Sequence, residues 1–429
     1  MNILVIGSGG REHAIAWKLS QEPTVDKIYV APGNGGTALE NKCVNINIQS
    51  NDIDALAEFA KNNSIDLTVV GPEEPLSKGI VDEFEKSGLL IFGPCKNAAQ
   101  IEASKSFAKN VMTAAGIPTA DYEKFSDFNA AKKYVEEKGA PIVIKADGLA
   151  AGKGVTVAQS IDEAIAALSE IFVDKVFGNS GSSVVIEDFM AGEEATYLAI
   201  TDGKTILPLV ISQDHKPLND GDKGPNTGGM GAYTPAPVIK GNMFDRVTDE
   251  IAYPMIKELA KRGIIYKGVI YAGLMINGNS IKVVEFNCRF GDPECQVVLS
   301  RIKTGLLDAL LAASKGCLEN SVLQNSDNSV ACVVLASGGY PKSYKNGYEI
   351  TGINNANTVD GVKVFHAGTK YDNNKLVTNG GRVLCVAAEH PSLKTAVDNA
   401  YKACKYINFT DMHYRNDIAA KAFKKQPES

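Results

Sequence analysis

The rhythm of its first hundred residues constrains this chain most. Short aliphatic runs at 2–6, 27–30, 67–70 and 89–92 alternate with helical stretches near 12–19, 55–62 and 77–86. Short apolar runs separated by helices fit strands buried on both faces, the pattern of a doubly wound parallel sheet. Ligands of such sheets collect at the carboxyl ends of the strands. There the sequence reads Gly-Ser-Gly-Gly-Arg-Glu at 7–12, Pro-Gly-Asn-Gly-Gly at 32–36 and Gly-Pro-Glu-Glu-Pro at 71–75. Glycine and charge gather where a ligand is expected.

Beyond this sheet the rhythm changes. A helix at 104–115 stops at Gly116-Ile-Pro118, and strand runs follow at 142–146, 155–158, 184–187, 206–211, 268–276 and 281–286, with a helix at 161–171. Hairpin-like runs with few helices between them predict an antiparallel α+β region. The polar, glycine-rich stretch 213–233 reads as one long loop, which in a compact domain is usually functional or disordered. The last part holds strand runs at 329–336, 362–365 and 383–388 and a helix at 393–407. We expect three domains: 1–103, 104–325 and 326–429.

Composition excludes several function classes. The chain has 429 residues, 44% hydrophobic and 22% charged, with a formal net charge of -6. That supports sizeable cores but no basic face for nucleic acid or an anionic membrane. The start lacks a cationic leader, and no apolar run approaches the roughly 20 residues of a membrane span. Eight scattered cysteines form no CxxC, as expected of reduced thiols in a cytoplasmic protein.

Several short stretches carry chemistry. Residues 7–12 follow a strand and open a helix, so backbone N–H groups face an anion. A dinucleotide fingerprint wants a third glycine at position 12, where Glu12 stands. A single phosphate or sugar-phosphate, partnered by Arg11, fits better; a tight turn without ligand fits the same residues. The run 147–154 carries Lys153 without P-loop spacing and lies between two strands, which predicts a hairpin flap able to cover phosphates. Lys145 stands in the apolar run Ile142–Ala146, where an ammonium meets an anion or reaches water at a sheet edge. The run 184–190 turns from apolar to polar and suits the edge of an adenine ring, with Glu193 and Glu194 suited to ribose hydroxyls or to plain solvated surface.

Glu285 and Asn287 point the same way on a strand. Two hard oxygen donors with no His or Cys between them suit Mg²⁺ held largely by phosphates. Arg289 is near enough to neutralise phosphate charge. A polar strand end is the plain alternative. His215, after Asp214, is a candidate base, although a lone histidine is more often structural. No Ser-His-Asp or Cys-His arrangement stands out, so the implied chemistry is electrostatic: lysines, an arginine, a metal and a flap around phosphates.

The segments GSGGREHA at 7–14, PGNGG at 32–36, GPEEPL at 71–76, KADGLAAGKGV at 145–155, QDHK at 213–216, GPNTGGMGAY at 224–233, EFN-x-RFGDPE at 285–294, FHAGT at 365–369 and GGRVL at 380–384 run in order along the chain. Together they resemble the phosphoribosylamine–glycine ligases (glycinamide ribonucleotide synthetases), a family of ATP-grasp enzymes. The resemblance implies an N-terminal doubly wound domain, a central ATP-grasp fold with a lid at about 121–190, and a small C-terminal α+β domain. It implies that ATP phosphorylates the carboxylate of glycine and that the amine of 5-phosphoribosylamine attacks the acyl phosphate. Glycinamide ribonucleotide, ADP and phosphate leave, the second step of purine synthesis. ATP and Mg²⁺ (or Mn²⁺) are the implied cofactors, and the implied partners are small molecules acting on a monomer.

The resemblance assigns Lys105 and Lys145 to ATP phosphates and the loop around Lys153 to a closing lid. Glu187 and Phe189 fall to adenine, Glu194 to ribose, and Glu285 and Asn287 to the metal. Arg289 and Asp292 face the reacting carboxylate and amine, with Lys145 and Asp214 also counted as catalytic. A looser similarity to other ATP-grasp purine enzymes implies that Gly10, Arg11, Glu73 and Arg382 hold the sugar-phosphate, and Lys216 and Asn226 complete the expected substrate set.

The chain departs from the family pattern at three points. Pro217 stands where the family usually has arginine, removing a cation and a backbone donor. Cys295 replaces a usual threonine, a small change. Gly273 falls about where many ATP-grasp enzymes carry a further metal-binding carboxylate. Another carboxylate–amine ligase is an alternative, but the GPNTGGMGAY stretch argues against it. A dinucleotide-dependent oxidoreductase rests on the N-terminal glycines alone. A catalytically dead binding protein sits poorly with Lys145, Glu285, Asn287 and Arg289 together.

Overall fold

Residues 1–150 and 154–423 are described by the computed structural model. The N-terminal sheet is parallel throughout, in the order Cys43–Asn45, Lys27–Pro32, Asn2–Gly7, Leu67–Val70, Ile91–Phe92. Its central strands are the aliphatic runs of the sequence, and they are almost fully buried. The edge strand Cys43–Asn45 is only three residues long and escapes sequence reading. The helical stretch near 77–86 is two helices, Glu73–Lys78 and Ile80–Lys86, which meet at Gly79 with a φ of 95° that suits glycine alone. Helix Gly10–Ser20 starts directly after the first glycine turn, where Glu12 accepts the N–H of Gly9 at 2.5 Å.

The middle of the chain builds two antiparallel sheets. One runs Tyr122–Phe125, Val184–Asp188, Ile142–Ala146, Val155–Ala158 and is backed by helices Phe128–Lys138 and Ile161–Phe172 over its own small core. Ile142–Ala146 pairs antiparallel with Val155–Ala158, the two strands expected to form a hairpin. The other runs Ile206–Pro208, Glu193–Thr201, Gly268–Asn277, Ser280–Asn287. Apolar residues of this sheet share one core with helices of the N-terminal region.

The stretch 213–233 corrects the sequence reading. It is not one loop but four short strands, Gln213–Asp214, Pro217–Asn219, Lys223–Asn226 and Gly231–Thr234. Gly231–Thr234 pairs with Ser329–Ala336, so this stretch completes a sheet that continues through Arg382–His390 to Val362–His366. Polar residues and glycine carry no strand pattern; the partner strand, fully buried, decides. The hairpin Thr369–Asp372 with Lys375–Thr378 is also new, turning at Asn373 and Asn374, both with positive φ.

The N-terminal region meets the segment around His366 across the molecule. Asn34 Nδ2 donates to the carbonyl of His366 at 2.9 Å, and the His366 N–H donates to His13 Nδ1 at 2.8 Å. Lys363 pairs with Glu40 at 2.6 Å. The first two glycine turns are thereby held against the segment 366–369. The eight cysteines are free thiols. Among the described residues no helix is long and apolar enough to cross a membrane.

Candidate active site

A cavity of about 370 Å³ lies where the two middle sheets and the N-terminal domain converge. Lys145 and Glu187 reach it from neighbouring strands, in a register that sets Glu187 opposite Val143 and therefore diagonal to Lys145 on the same face. Lys145 Nζ lies 2.9 Å from Glu187 and donates to the carbonyl of Val284 at 3.0 Å. Pairing of the 280–287 strand skips Val284, a bulge next to the site. Lys109, one helical turn beyond Lys105, adds a second cation 3.2 Å from Glu187 and donates to Thr119 at 2.8 Å. Burial, against the pull of Glu187, lowers Lys109 to about 8. The base of the flap is fixed by Asp147, which accepts from Ser106 and Ser183 and pairs with Lys124 at 2.9 Å. Lys105 donates to the carbonyl of Gly148 at 3.0 Å, so it already touches the flap.

Opposite these groups, Glu285 stands among cations. Burial alone would raise its pKa, but Lys216, Lys145, Lys105 and Arg289 hold it at about 2, so the carboxylate is ionised. Lys216 bridges Glu194 at 2.7 Å and Glu285 at 3.6 Å. Asp214 shows the reverse: burial, with Glu294, Glu194 and Glu285 near and Lys216 opposing, raises it to about 7. Gly273 lies directly opposite Glu285, and a Cβ there would come within 3.3 Å of the Glu285 side chain. The strand opposite Glu285 therefore offers no carboxylate at this register. Glu285 and Asn287 are hard oxygen donors, the former ionised, and they fit Mg²⁺ whose remaining ligands come from phosphate and water. Among the described residues no cluster of three or more His, Cys, Asp or Glu could hold a metal alone.

Arg289 forms the end wall. Its guanidinium lies 3.2 Å from Glu73 and 2.8 Å from Glu102. Burial opposes ionisation of Glu73, yet Arg289 and Arg11 hold it at about 2. Arg11 bonds Glu12 at 2.6 Å and the carbonyl of Phe290 at 3.1 Å. Further on, Asp292 pairs with Arg382 at 3.1 Å and accepts from Gln296 at 2.8 Å. Arg382 also donates to the carbonyl of Gly228 at 2.7 Å. Asp292 and Arg382 line a second cavity as well, of about 650 Å³, walled by the first two glycine turns and the segment 367–371. This pair is the junction between the two cavities.

Three family models cover the chain in this order: the phosphoribosylglycinamide synthetase N domain at 1–102, the ATP-grasp (A) domain at 103–295 and the C domain at 330–421. Phosphoribosylamine–glycine ligases of Pasteurella multocida and Yersinia pestis are each 49% identical, covering 99% and 98% of this chain and 99% of their own length. The crystal structure of the phosphoribosylamine–glycine ligase from Thermotoga maritima superposes with a TM-score of 0.82 at 32% identity, covering 97% of this chain and all of that one. The chain belongs to the phosphoribosylglycinamide synthetase family. The biotin carboxylase domain of Hydrogenobacter thermophilus 2-oxoglutarate carboxylase, at 14% identity and a TM-score of 0.72, shares the fold.

For a phosphoribosylglycinamide synthetase the sequence-derived residues fall into place unevenly. Lys105, Lys145, Glu187, Phe189, Glu194, Asp214, Lys216, Asn226, Glu285, Asn287, Arg289 and Asp292 all line the first cavity. Lys153 lies outside the described residues. The Glu187 carboxylate is taken up by two lysines, while Phe189 beside it is half-exposed. Gly10 lines neither cavity: a Cβ there would lie 2.5 Å from Gln296, so its role is close packing of helix Gly10–Ser20 on helix Glu294–Arg301, and Ser8 and Gly9 line the second cavity instead. Arg11, Glu73 and Arg382 line the first cavity too, with Arg11 and Glu73 beside Arg289 and away from the second cavity. His215 is not a base at the site. It is buried behind the wall against Tyr233, and burial with Arg415 lowers it to about 4. Lys109, Glu102 and the second-cavity residues Asn34, Thr369 and Lys370 were missed. Spacing of Lys109 from Lys105 on one helix, and the motifs around Asn34 and Thr369, were the available signals.

Proposed function

We propose that this chain joins glycine to 5-phosphoribosylamine, with ATP and Mg²⁺ in the first cavity and the sugar-phosphate in the second. The junction carries the reading: Asp292 and Arg382 line both cavities, so groups bound in each would meet there. Lys105, Lys145 and Arg289 offer positive charge to a polyphosphate and to the charge that develops on a transferring phosphoryl group. Glu285 and Asn287 would hold the metal, which would draw phosphate oxygens together and neutralise them. The γ-phosphoryl group passes to the glycine carboxylate, ADP leaving. The sugar amine then attacks the acyl carbon, the carbon–phosphate oxygen bond breaks, and phosphate leaves as the amine loses a proton. Asp214, poised near neutrality, is the group best suited to accept it. Arg382, Lys370 and the glycine turn at 33–35 suit the phosphate of the sugar, while Asp292 suits its amine. The working enzyme is a cytoplasmic monomer acting on small molecules, with no nucleic acid involved.

The test is ADP release with Mg·ATP, leaving out one substrate at a time, with phosphoribosylamine generated in place from ribose 5-phosphate and ammonia. Release that needs both glycine and the sugar amine is expected. Release indifferent to glycine would overturn the substrate assignment.

A further inference from the structure

Behind the cavity wall lies a clasp made by residues 413–421. The hairpin Pro217–Asn219 with Lys223–Asn226 stands between Lys216 and Thr227, and the carbonyl of Lys216 accepts from both the N–H and the hydroxyl of Thr227. Whatever fixes this hairpin fixes Lys216 and Asn226 at the cavity. Its outer side is held by residues 413–421, none of which lines the cavity. Arg415 is the centre: its side chain is 1% exposed, and its guanidinium grips both Asp417 oxygens at 2.8 Å, Asp222 at 3.0 Å and the carbonyl of Pro217 at 3.1 Å. Asn416 bonds Asp220, Asp417 accepts the N–H of Gly221, His413 bonds the carbonyl of Leu218, and Lys421 pairs with Asp222.

A guanidinium is buried at this cost only when its donors are satisfied, and its planar fork gives a geometry that lysine cannot copy. The residue it reaches, Pro217, has no N–H and can be held only through its carbonyl. We propose that Arg415 is a positioning residue of the ligase: it clamps the hairpin 217–226 from behind and so sets Lys216 and Asn226 for substrate. The proposal rests on the ligase reading for its kinetic arm alone.

Arg415→Ala and Arg415→Lys test it in the full chain. Hydrogen exchange of amides 214–230 reads the clamp directly, without substrate; faster exchange confined to that segment is expected in both variants. In steady state, KM for glycine or the sugar amine should rise about tenfold while KM for ATP stays within about twofold. Millimolar guanidinium, against sodium at equal ionic strength, should restore activity to Arg415→Ala. Asp222→Asn, which keeps the Asp417 fork, should show the same changes more weakly and covers the case that Arg415→Ala does not fold. Unchanged exchange, or an equal loss for all three substrates without guanidinium rescue, would overturn the positioning role. Failure of the wild type to release ADP in a glycine-dependent way would instead overturn the ligase reading, with the exchange result still deciding the clamp.

Discussion

Glu285 and Asp214 face one cavity only a few residues from each other's partners, yet their protonation is driven in opposite directions. Glu285 sits among Lys216, Lys145, Lys105 and Arg289 and stays ionised. Replacing it with alanine should abolish turnover, by about a hundredfold or more, while leaving the fold intact. Wild-type ADP release with ordinary Mg²⁺ dependence in that variant would remove Glu285 from the metal site. Asp214 is raised from 3.8 to about 7 by burial among other carboxylates. A carboxyl that keeps its proton in the folded chain stabilises it most below pH 3.8, and that stabilisation is lost as pH rises toward about 7. Asp214→Asn should therefore flatten the fall of the thermal midpoint across that window. The same substitution should remove the rise of activity through neutral pH that a base of this pKa gives. An unchanged activity profile would take Asp214 out of proton transfer.

Elements of this molecule meet at the site through close backbone approach as much as through side chains. The loop at 228–229 presses on the turn at 292–293: Gly229 has a φ of 115°, and a Cβ there would lie 2.4 Å from the Pro293 ring. Gly229→Ala must push the turn away or strain the loop, at a cost of about 1–3 kcal/mol. The displaced group is Asp292, so activity should fall by more than the loss of thermal stability explains. Equal activity per folded molecule would show that the turn has room to move. Hairpins, bulges and short strands dominate this region, and they are what the sequence hides best. The strand Gly231–Thr234 has no local signature, because it exists only against a partner strand distant in the chain.

The whole molecule brings two cavities to one junction. Its N-terminal turns and its C-terminal segment 366–369 are tied by Asn34, His13 and Lys363, and together they wall the second cavity. Arg382 joins that cavity to the first through Asp292 and Gly228. Arg382→Ala should raise KM for phosphoribosylamine about tenfold while changing KM for ATP about twofold or less. Equal effects on both substrates would move the sugar-phosphate elsewhere. The N-terminal parallel sheet, the strand pair Ile142–Ala146 with Val155–Ala158 and the cavity-facing pair Glu285 and Asn287 are legible from residue pattern, because strand alternation and glycine turns are local. That alternation puts Glu285 and Asn287 on one face whatever surrounds them. Tertiary structure alone decided that Glu187 is taken by Lys145 and Lys109, that Gly10 packs against Gln296, that His215 lies behind the wall, and that Arg415 holds the hairpin from two hundred residues away. Each of those depends on which distant groups share a buried space, and burial and Coulomb interaction act through distance in the fold rather than along the chain.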